Sequence, residues 1–242
     1  MTMLHGRGMA GFGPVGLAAK LRYRLVGRLA PTRAKRSAEL AYWQKRQAEE
    51  GVLENDWYRD GFTTAFGIDE SFYVGKRLLD IGCGPRGSLE WATMASERVG
   101  IDPLAKQYEK LNGGLHEMSY VASGSEKLPF PDGHFDVVSS FNSLDHVDDL
   151  DATIHEITRV TAPGGTFLLL TNVNHSPTRT EPHSFSWDVL QRFRGFEVIE
   201  ERRLETGLGV VSDAIENVPY DERRPLHVGS LVARLVRRPD QH

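Results

Sequence analysis

The run Leu78-Leu79-Asp80-Ile81-Gly82-Cys83-Gly84-Pro85-Arg86-Gly87 constrains the fold more than any other stretch of this 242-residue chain. Apolar residues at 78, 79 and 81 read as a buried strand, and the glycines at 82, 84 and 87 end it in a tight turn. Glycine lets the backbone bend sharply there and approach a ligand closely. A strand running into such a loop belongs in a parallel α/β sheet, whose ligand crevice opens at the carboxyl ends of its strands.

The rest of the chain agrees with that placement. Short apolar runs predict strands at 77–81, 98–101, 119–122, 135–140 and 166–172, with later strands near 196–200 and 231–236. Helical patterns fill the gaps at 88–96, 104–111 and 148–160, and a further helix is expected near 187–193. In the 148–160 segment Leu150, Ile154, Ile157 and Val160 share one stripe, and Asp148 and Asp149 sit where a helix N-terminus favours acids. Upstream, Leu17, Leu21, Leu25 and Leu29 describe an amphipathic helix stopped by Pro31, followed by a second helix over 36–50 closed by Gly51. The chain therefore divides into a basic helical N-terminal extension or lid, 1–70, and a catalytic-type α/β domain, 71–242.

Charge follows the same division. Residues 1–48 carry ten Lys or Arg against the single acid Glu39, whereas the remainder is strongly acidic and the whole chain nets only −4. One cysteine excludes a disulfide scaffold, and Cys83 reads as a small loop residue without redox function. No run reaches the roughly 18 apolar residues of a membrane span, and the first residues lack a secretory pattern, so a cytoplasmic location is expected. The basic helices admit three readings: a lid, a homodimer element, or a patch for a peripheral membrane or other anionic surface. No nucleic-acid partner is expected from a net charge of −4.

Taken literally, the loop spells GxGxxG, and Asp102 follows about 20 residues later at the end of the second strand, where a ribose-binding acid belongs. That pattern admits a dinucleotide as readily as S-adenosylmethionine. Asp80 separates the two, because a carboxylate beside the loop repels a diphosphate and suits a ligand carrying an ammonium and a sulfonium. Arg86 is the opposing detail.

Four blocks occur in order: Leu79-Asp80-Ile81-Gly82-Cys83-Gly84, Val99-Gly100-Ile101-Asp102, Glu126-Lys127-Leu128-Pro129-Phe130-Pro131-Asp132-Gly133-His134-Phe135-Asp136-Val137-Val138, and Thr161-Ala162-Pro163-Gly164-Gly165-Thr166. Together they resemble the class I S-adenosylmethionine-dependent methyltransferases of the small-molecule type. The resemblance implies a Rossmann-like, seven-stranded, mostly parallel sheet with helices on both faces and an antiparallel last strand. It implies S-adenosylmethionine as cofactor, with Asp80, Gly82, Cys83 and Gly84 at its methionine end, Asp102 on the ribose, Leu104 packed on adenine, Ser125 and Glu126 at the adenine edge, and Phe141 nearby. Two departures stand out. Gly124 occupies a position where the family usually has an acid, and Arg86 replaces the third family glycine, with Gly87 one step later.

Methyl transfer to a hydroxyl needs an aligned acceptor and a base for its proton. His146 is the candidate base, oriented by Asp145, since imidazole accepts a proton near neutral pH. Asn142, Asn174, His175 and His183 are the candidate acceptor-binding residues. Asp145, His146, His175, Glu181 and His183 are also of the types that hold a divalent cation such as Mg2+, although their spacing matches no tight motif. The phrases Cys83-Gly84-Pro85-Arg86-Gly87-Ser88-Leu89-Glu90-Trp91 and Phe141-Asn142-Ser143-Leu144-Asp145-His146-Val147-Asp148-Asp149 resemble a narrower actinobacterial group, which includes an enzyme that methylates the reducing-end 1-hydroxyl of methylmannose polysaccharide precursors. The expected function is O-methylation of a small-molecule hydroxyl, with a saccharide favoured by the polar wall. Alternatives are methylation of a quinone, polyketide or other natural product, a nucleotide-binding oxidoreductase, and a non-catalytic cofactor-binding domain.

Overall fold

Strands buried on both faces read as unbroken apolar runs, and the computed structural model, which describes residues 31–239, places each such run in one sheet. The elements are α1 (Pro31–Glu50), α2 (Trp57–Phe62), β1 (Arg77–Ile81), β2 (Glu97–Ile101), α3 (Ala105–Leu111), β3 (Ser119–Val121), β4 (Phe135–Phe141), α4 (Leu150–Val160), β5 (Thr161–Val173), β6 (Phe196–Glu205), α5 (Val210–Glu216) and β7 (Gly229–Arg237). The seven strands run in the order β3-β2-β1-β4-β5-β7-β6, parallel from β3 to β5, with β7 antiparallel to both its neighbours. This is the expected α/β architecture. The leucine stripe at 17–29 lies outside the described residues.

Strand alternation sorts the core into two layers. Leu79 and Ile81 join Val99, Ile101, Val138 and Leu169 on the face covered by Leu150, Ile154, Ile157 and Val160 of α4. Leu78 turns to the other face with Val137, Leu168 and Val232, covered by Phe62 of α2, Phe66, Tyr73 and the α5 residues Val211 and Ala214. Phe62 staples α2 to this layer: it is 1% exposed, and its ring centroid lies 4.4 Å from that of Phe141.

Several boundaries differ from expectation. No helix forms over 88–96. Ser88 and Leu89 are drawn into the core, and the Glu90 carbonyl accepts from Arg98 Nη1 at 2.9 Å, so the segment closes as successive turns. The second N-terminal helix begins at Pro31 instead of residue 36, and proline is tolerated in a first turn. Gly51, at φ +78°, ends it, its N–H on the Gln47 carbonyl. Strand β5 starts five residues early, at Thr161, where it pairs with Phe135 before a register shift. Strand β6 runs on to Glu205 because β7 pairs along its whole length. The expected helix near 187–193 is a short 3-10 turn, Val189–Arg192, and α5 was not anticipated. Among the described residues no helix is long and apolar enough to cross a membrane.

Candidate active site

Parallel strands β1, β2, β4 and β5 all end at one edge, and the loops leaving them carry the candidate residues. After β1 the chain turns through Gly82, Gly84 and Gly87 at φ +72°, +60° and +73°. A Cβ on Gly82 would lie 2.3 Å from the Cβ of Ser143, so nothing larger fits. Ser143 in turn donates from its hydroxyl to the Ile81 carbonyl at 2.6 Å, locking the β4 loop onto the glycine turn. Reasoning from sequence had not singled Ser143 out, since a lone serine carries no signal.

Two carboxylates face this turn. Asp80 is 3% exposed and accepts from Ser88 Oγ at 2.5 Å and Ser139 Oγ at 2.7 Å. Burial pushes its carboxyl up to about 6, against those two hydrogen bonds. Asp102, at the end of β2, accepts from the Leu104 amide at 2.7 Å, and burial pushes it up to about 7. Two buried acids with raised affinity for protons suit a cationic, hydroxyl-bearing ligand, whose charge would favour their ionised forms. Burial also raises the Cys83 thiol, which packs where a Cβ on Gly100 would stand. It is a filler of the turn. Tyr58 brings its phenol near Asp80 and Arg86, and burial again raises it.

Arg86 does not offer its charge to a phosphate. Its guanidinium grips Glu50 at 2.8 and 3.0 Å and the Glu54 carbonyl at 2.9 Å. That removes the one detail which favoured a diphosphate ligand.

In the loop after β3, a Cβ on Gly124 would lie 2.4 Å from Glu126 Oε2. Glu126 thus fills the space an acid at 124 would take, while its Oε1 accepts from the Asp148 amide at 2.8 Å. Ser125 turns its hydroxyl inward, 2.9 Å from Thr153 Oγ1, and so offers the crevice its backbone. Leu104 lines the open cleft beneath α1. The Phe141 ring packs against Phe62 and Phe66, with centroids 4.4 and 5.9 Å apart, where β4 ends.

The acid-base cluster is formed by the β4 and β5 loops. His146 Nε2 lies 3.8 Å from Asp145 Oδ1 and 3.9 Å from Glu181 Oε1, and His175 Nε2 lies 3.6 Å from Asp145 Oδ2. These separations are too long for direct hydrogen bonds. Asp145 Oδ1, His146 Nδ1 and His175 Nε2 are all buried without a hydrogen-bond partner. Burial raises the Asp145 carboxyl, with the two imidazoles opposing. Ligand atoms of Asp145, His146 and Glu181 all lie within 4.8 Å of one another, a mixed oxygen and imidazole set compatible with a divalent cation.

The remaining acceptor candidates are committed elsewhere. Asn142, at φ +50°, accepts from the Asn172 amide through Oδ1 at 3.2 Å. Asn174 donates from Nδ2 to the Pro225 and His227 carbonyls. His183 bonds the Val147 carbonyl through Nε2 at 3.1 Å and so braces the loop bearing His146. Both asparagines hold left-handed turns at strand ends, for which asparagine is suited apart from any ligand. Of these four, only His175 points a free nitrogen into the cluster.

Residues 79–169 match the model of a family described as a methyltransferase domain. Chloroplastic tocopherol O-methyltransferase of Arabidopsis thaliana is 29% identical over 121 residues, covering 47% of this chain and 35% of that protein. Sterol 24-C-methyltransferase erg6 of Aspergillus fumigatus is 29% identical over 166 residues, 56% of this chain and 43% of the relative. The ubiquinone/menaquinone biosynthesis C-methyltransferase UbiE of Shewanella baltica is 37% identical over 82 residues, 33% of each. The chain therefore spans less than half the length of these relatives. Among solved structures, N-methyltransferase NodS of Bradyrhizobium japonicum aligns with a TM-score of 0.56 at 15% identity, covering 78% of this chain and all of that one. The [4+2]-cyclase SpnF aligns at 0.54 with 22% identity, covering 70% of this chain and 77% of the other. Both likenesses speak to the fold alone.

Proposed function

Because residues 79–169 match the model of a methyltransferase domain, we propose that this chain transfers the methyl of S-adenosylmethionine to a hydroxyl of a small, polar acceptor, a saccharide being the class that suits its walls. The observation carrying this reading is the convergence of Asp145, His146 and His175, with three unpartnered buried polar atoms between them, at the strand edge that bears the cofactor turn. Such atoms cost free energy unless a ligand engages them.

The cofactor supplies a methyl on a sulfonium and leaves as the neutral thioether. Asp80 and Asp102 would offset its charge and hold its ribose, and Glu126 would stand at the adenine amine. His146 receives the acceptor's proton as the new C–O bond forms, and Asp145 stabilises the resulting imidazolium. His175 donates to another hydroxyl of the acceptor. An apolar quinone or polyketide would leave these polar atoms unpaired, which disfavours it. Location in the cytoplasm belongs to the same proposal.

A divalent cation is the second reading of the cluster, favoured by the proximity of Asp145, His146 and Glu181. These three would hold it, and it would stabilise an alkoxide as a Lewis acid. Incubation with methyl-labelled S-adenosylmethionine and short mannosides, with and without chelator, tests both readings. Label is expected in the sugar, and His146→Ala is expected to keep cofactor-product binding while losing turnover by at least a hundredfold. Activity lost to chelator and restored by Mg2+ would assign the cation. No transfer to any saccharide under either condition would end the sugar reading.

A further inference from the structure

Helix α1 crosses the cofactor crevice and is tied down at both ends. At its start, Lys35 Nζ donates to the His146 carbonyl and to Asp148 Oδ1 at 2.7 Å, and Thr32 Oγ1 donates to Asp148 Oδ2 at 3.3 Å. At its end, Glu50 takes the Arg86 guanidinium of the glycine turn through both carboxylate oxygens, and Gln47 donates to the Leu111 carbonyl. Between these ties the helix does not close onto the domain. Arg36, Ser37 and Leu40 stand across from Pro103, Leu104 and Gln107, leaving an open cleft of about 550 Å3. Trp43 lies 3.6 Å from where a Cβ on Gly84 would stand. Glu39 and Arg36 both act on the Asp102 carboxyl, the first raising it and the second lowering it. Arg36 makes no ion pair among the described residues.

An element pinned by charged contacts at each end yet held off the domain in the middle is built around something else. The space adjoins Asp102 and is walled by leucines at 40 and 104, with a guanidinium free to lie on an aromatic face, the chemistry of an adenosine site.

We propose that α1 supplies the outer wall of the adenosine site through Leu40 and Arg36, and that Lys35 and Glu50 are positioning residues latching it to the catalytic turn and the glycine turn. Resting on the methyltransferase reading, this makes cofactor binding and the placement of His146 two results of one closure, because the carbonyl Lys35 holds is that of His146 itself. The Arg86 that departs from the family glycine is then the receptor for the second latch.

Calorimetry with S-adenosylhomocysteine, together with amide hydrogen exchange, tests the proposal on the full chain. The ligand is expected to slow exchange over 31–50. Leu40→Asp is expected to weaken binding at least tenfold, with Leu40→Ala as the milder variant. Lys35→Met is expected to weaken binding about threefold and to speed exchange over 143–148, with Lys35→Arg restoring both. If the wild-type chain binds the ligand while exchange over 31–50 is unchanged and the Leu40 and Lys35 variants bind within twofold of it, α1 is no part of the site. Failure of the wild-type chain to bind S-adenosylhomocysteine overturns the methyltransferase reading itself, and the proposal with it.

Discussion

At Gly82 a single missing side chain decides how two loops meet. The residue sits at φ +72°, and the place a Cβ would take is only 2.3 Å from the Cβ of Ser143, whose hydroxyl ties the β4 loop to Ile81. Gly82→Ala therefore strains the backbone and pushes Ser143 away, together with the turn that carries Asp145 and His146. The expected outcome is at least a tenfold loss of S-adenosylhomocysteine affinity in calorimetry, accompanied by a lower melting temperature; affinity equal to wild type would show that the two loops do not depend on this contact. Single residues were also where the sequence said least about side-chain direction. Asn142 and Asn174 attract attention as polar groups at strand ends, yet each spends its amide on neighbouring backbone. Ser125 turns its hydroxyl to Thr153 for the same kind of reason. Residue type alone does not say which way a side chain faces.

Elements were legible in proportion to how local their determinants are. Strand β1 matches its expected span because the apolar Leu78, Leu79 and Ile81 and a glycine stop specify it without help. Helix α4 was equally plain, since its apolar stripe and its cap lie within one stretch: Asp149 accepts from the Ala152 amide at 3.0 Å, satisfying one of the free N–H groups of the first turn. Asp149→Ala should cost about 1 kcal/mol of stability, read from urea unfolding, and a loss below a few tenths would mean that Glu126, which bonds the Asp148 amide and more distantly that of Asp149, caps the turn without it. By contrast, the 88–96 segment has helical spacing but is captured by contacts from elsewhere: Asp80 takes the Ser88 hydroxyl and Arg98 takes the Glu90 carbonyl. The length of β6 is likewise set by its partner β7, which short-range pattern cannot reveal. The contacts that tie down α1 escaped for the same reason, as Lys35 and Glu50 meet their partners 113 and 36 positions away.

Across the whole molecule, the sheet gathers acids that the ligand-free protein holds at a cost. Asp80 and Asp102 have folded values of about 6 and about 7, against an unfolded carboxyl near ~3.9. Between those limits the folded chain keeps protons that the unfolded chain has lost, so stability falls as pH rises through the window. Asp136, Asp148 and Glu156 are held low, Asp136 and Asp148 by hydrogen bonds and charge that outweigh burial, and work in the opposite sense, but only at lower pH. Protein without added ligand is thus expected to melt at a lower temperature at pH 7.5 than at pH 5.5, while on the proposed function S-adenosylhomocysteine affinity rises over the same interval, because its ribose would donate to ionised Asp102. A flat melting profile together with flat affinity would show that the two acids ionise as they do in water.

The order of strands carries one more consequence. Strand β7 is the last in sequence, yet it lies between β5 and β6 and is the only neighbour through which β6 joins the sheet. During synthesis β5 must therefore wait with an open edge while more than 50 further residues emerge, and β6 has no template to pair with until 229–237 leaves the ribosome. Pairings so distant along the chain close slowly, and an unpaired edge invites other chains in the meantime. Assembly of the sheet is in this sense completed at its carboxyl end, with β1 to β5 able to pair long before β6 and β7 join them.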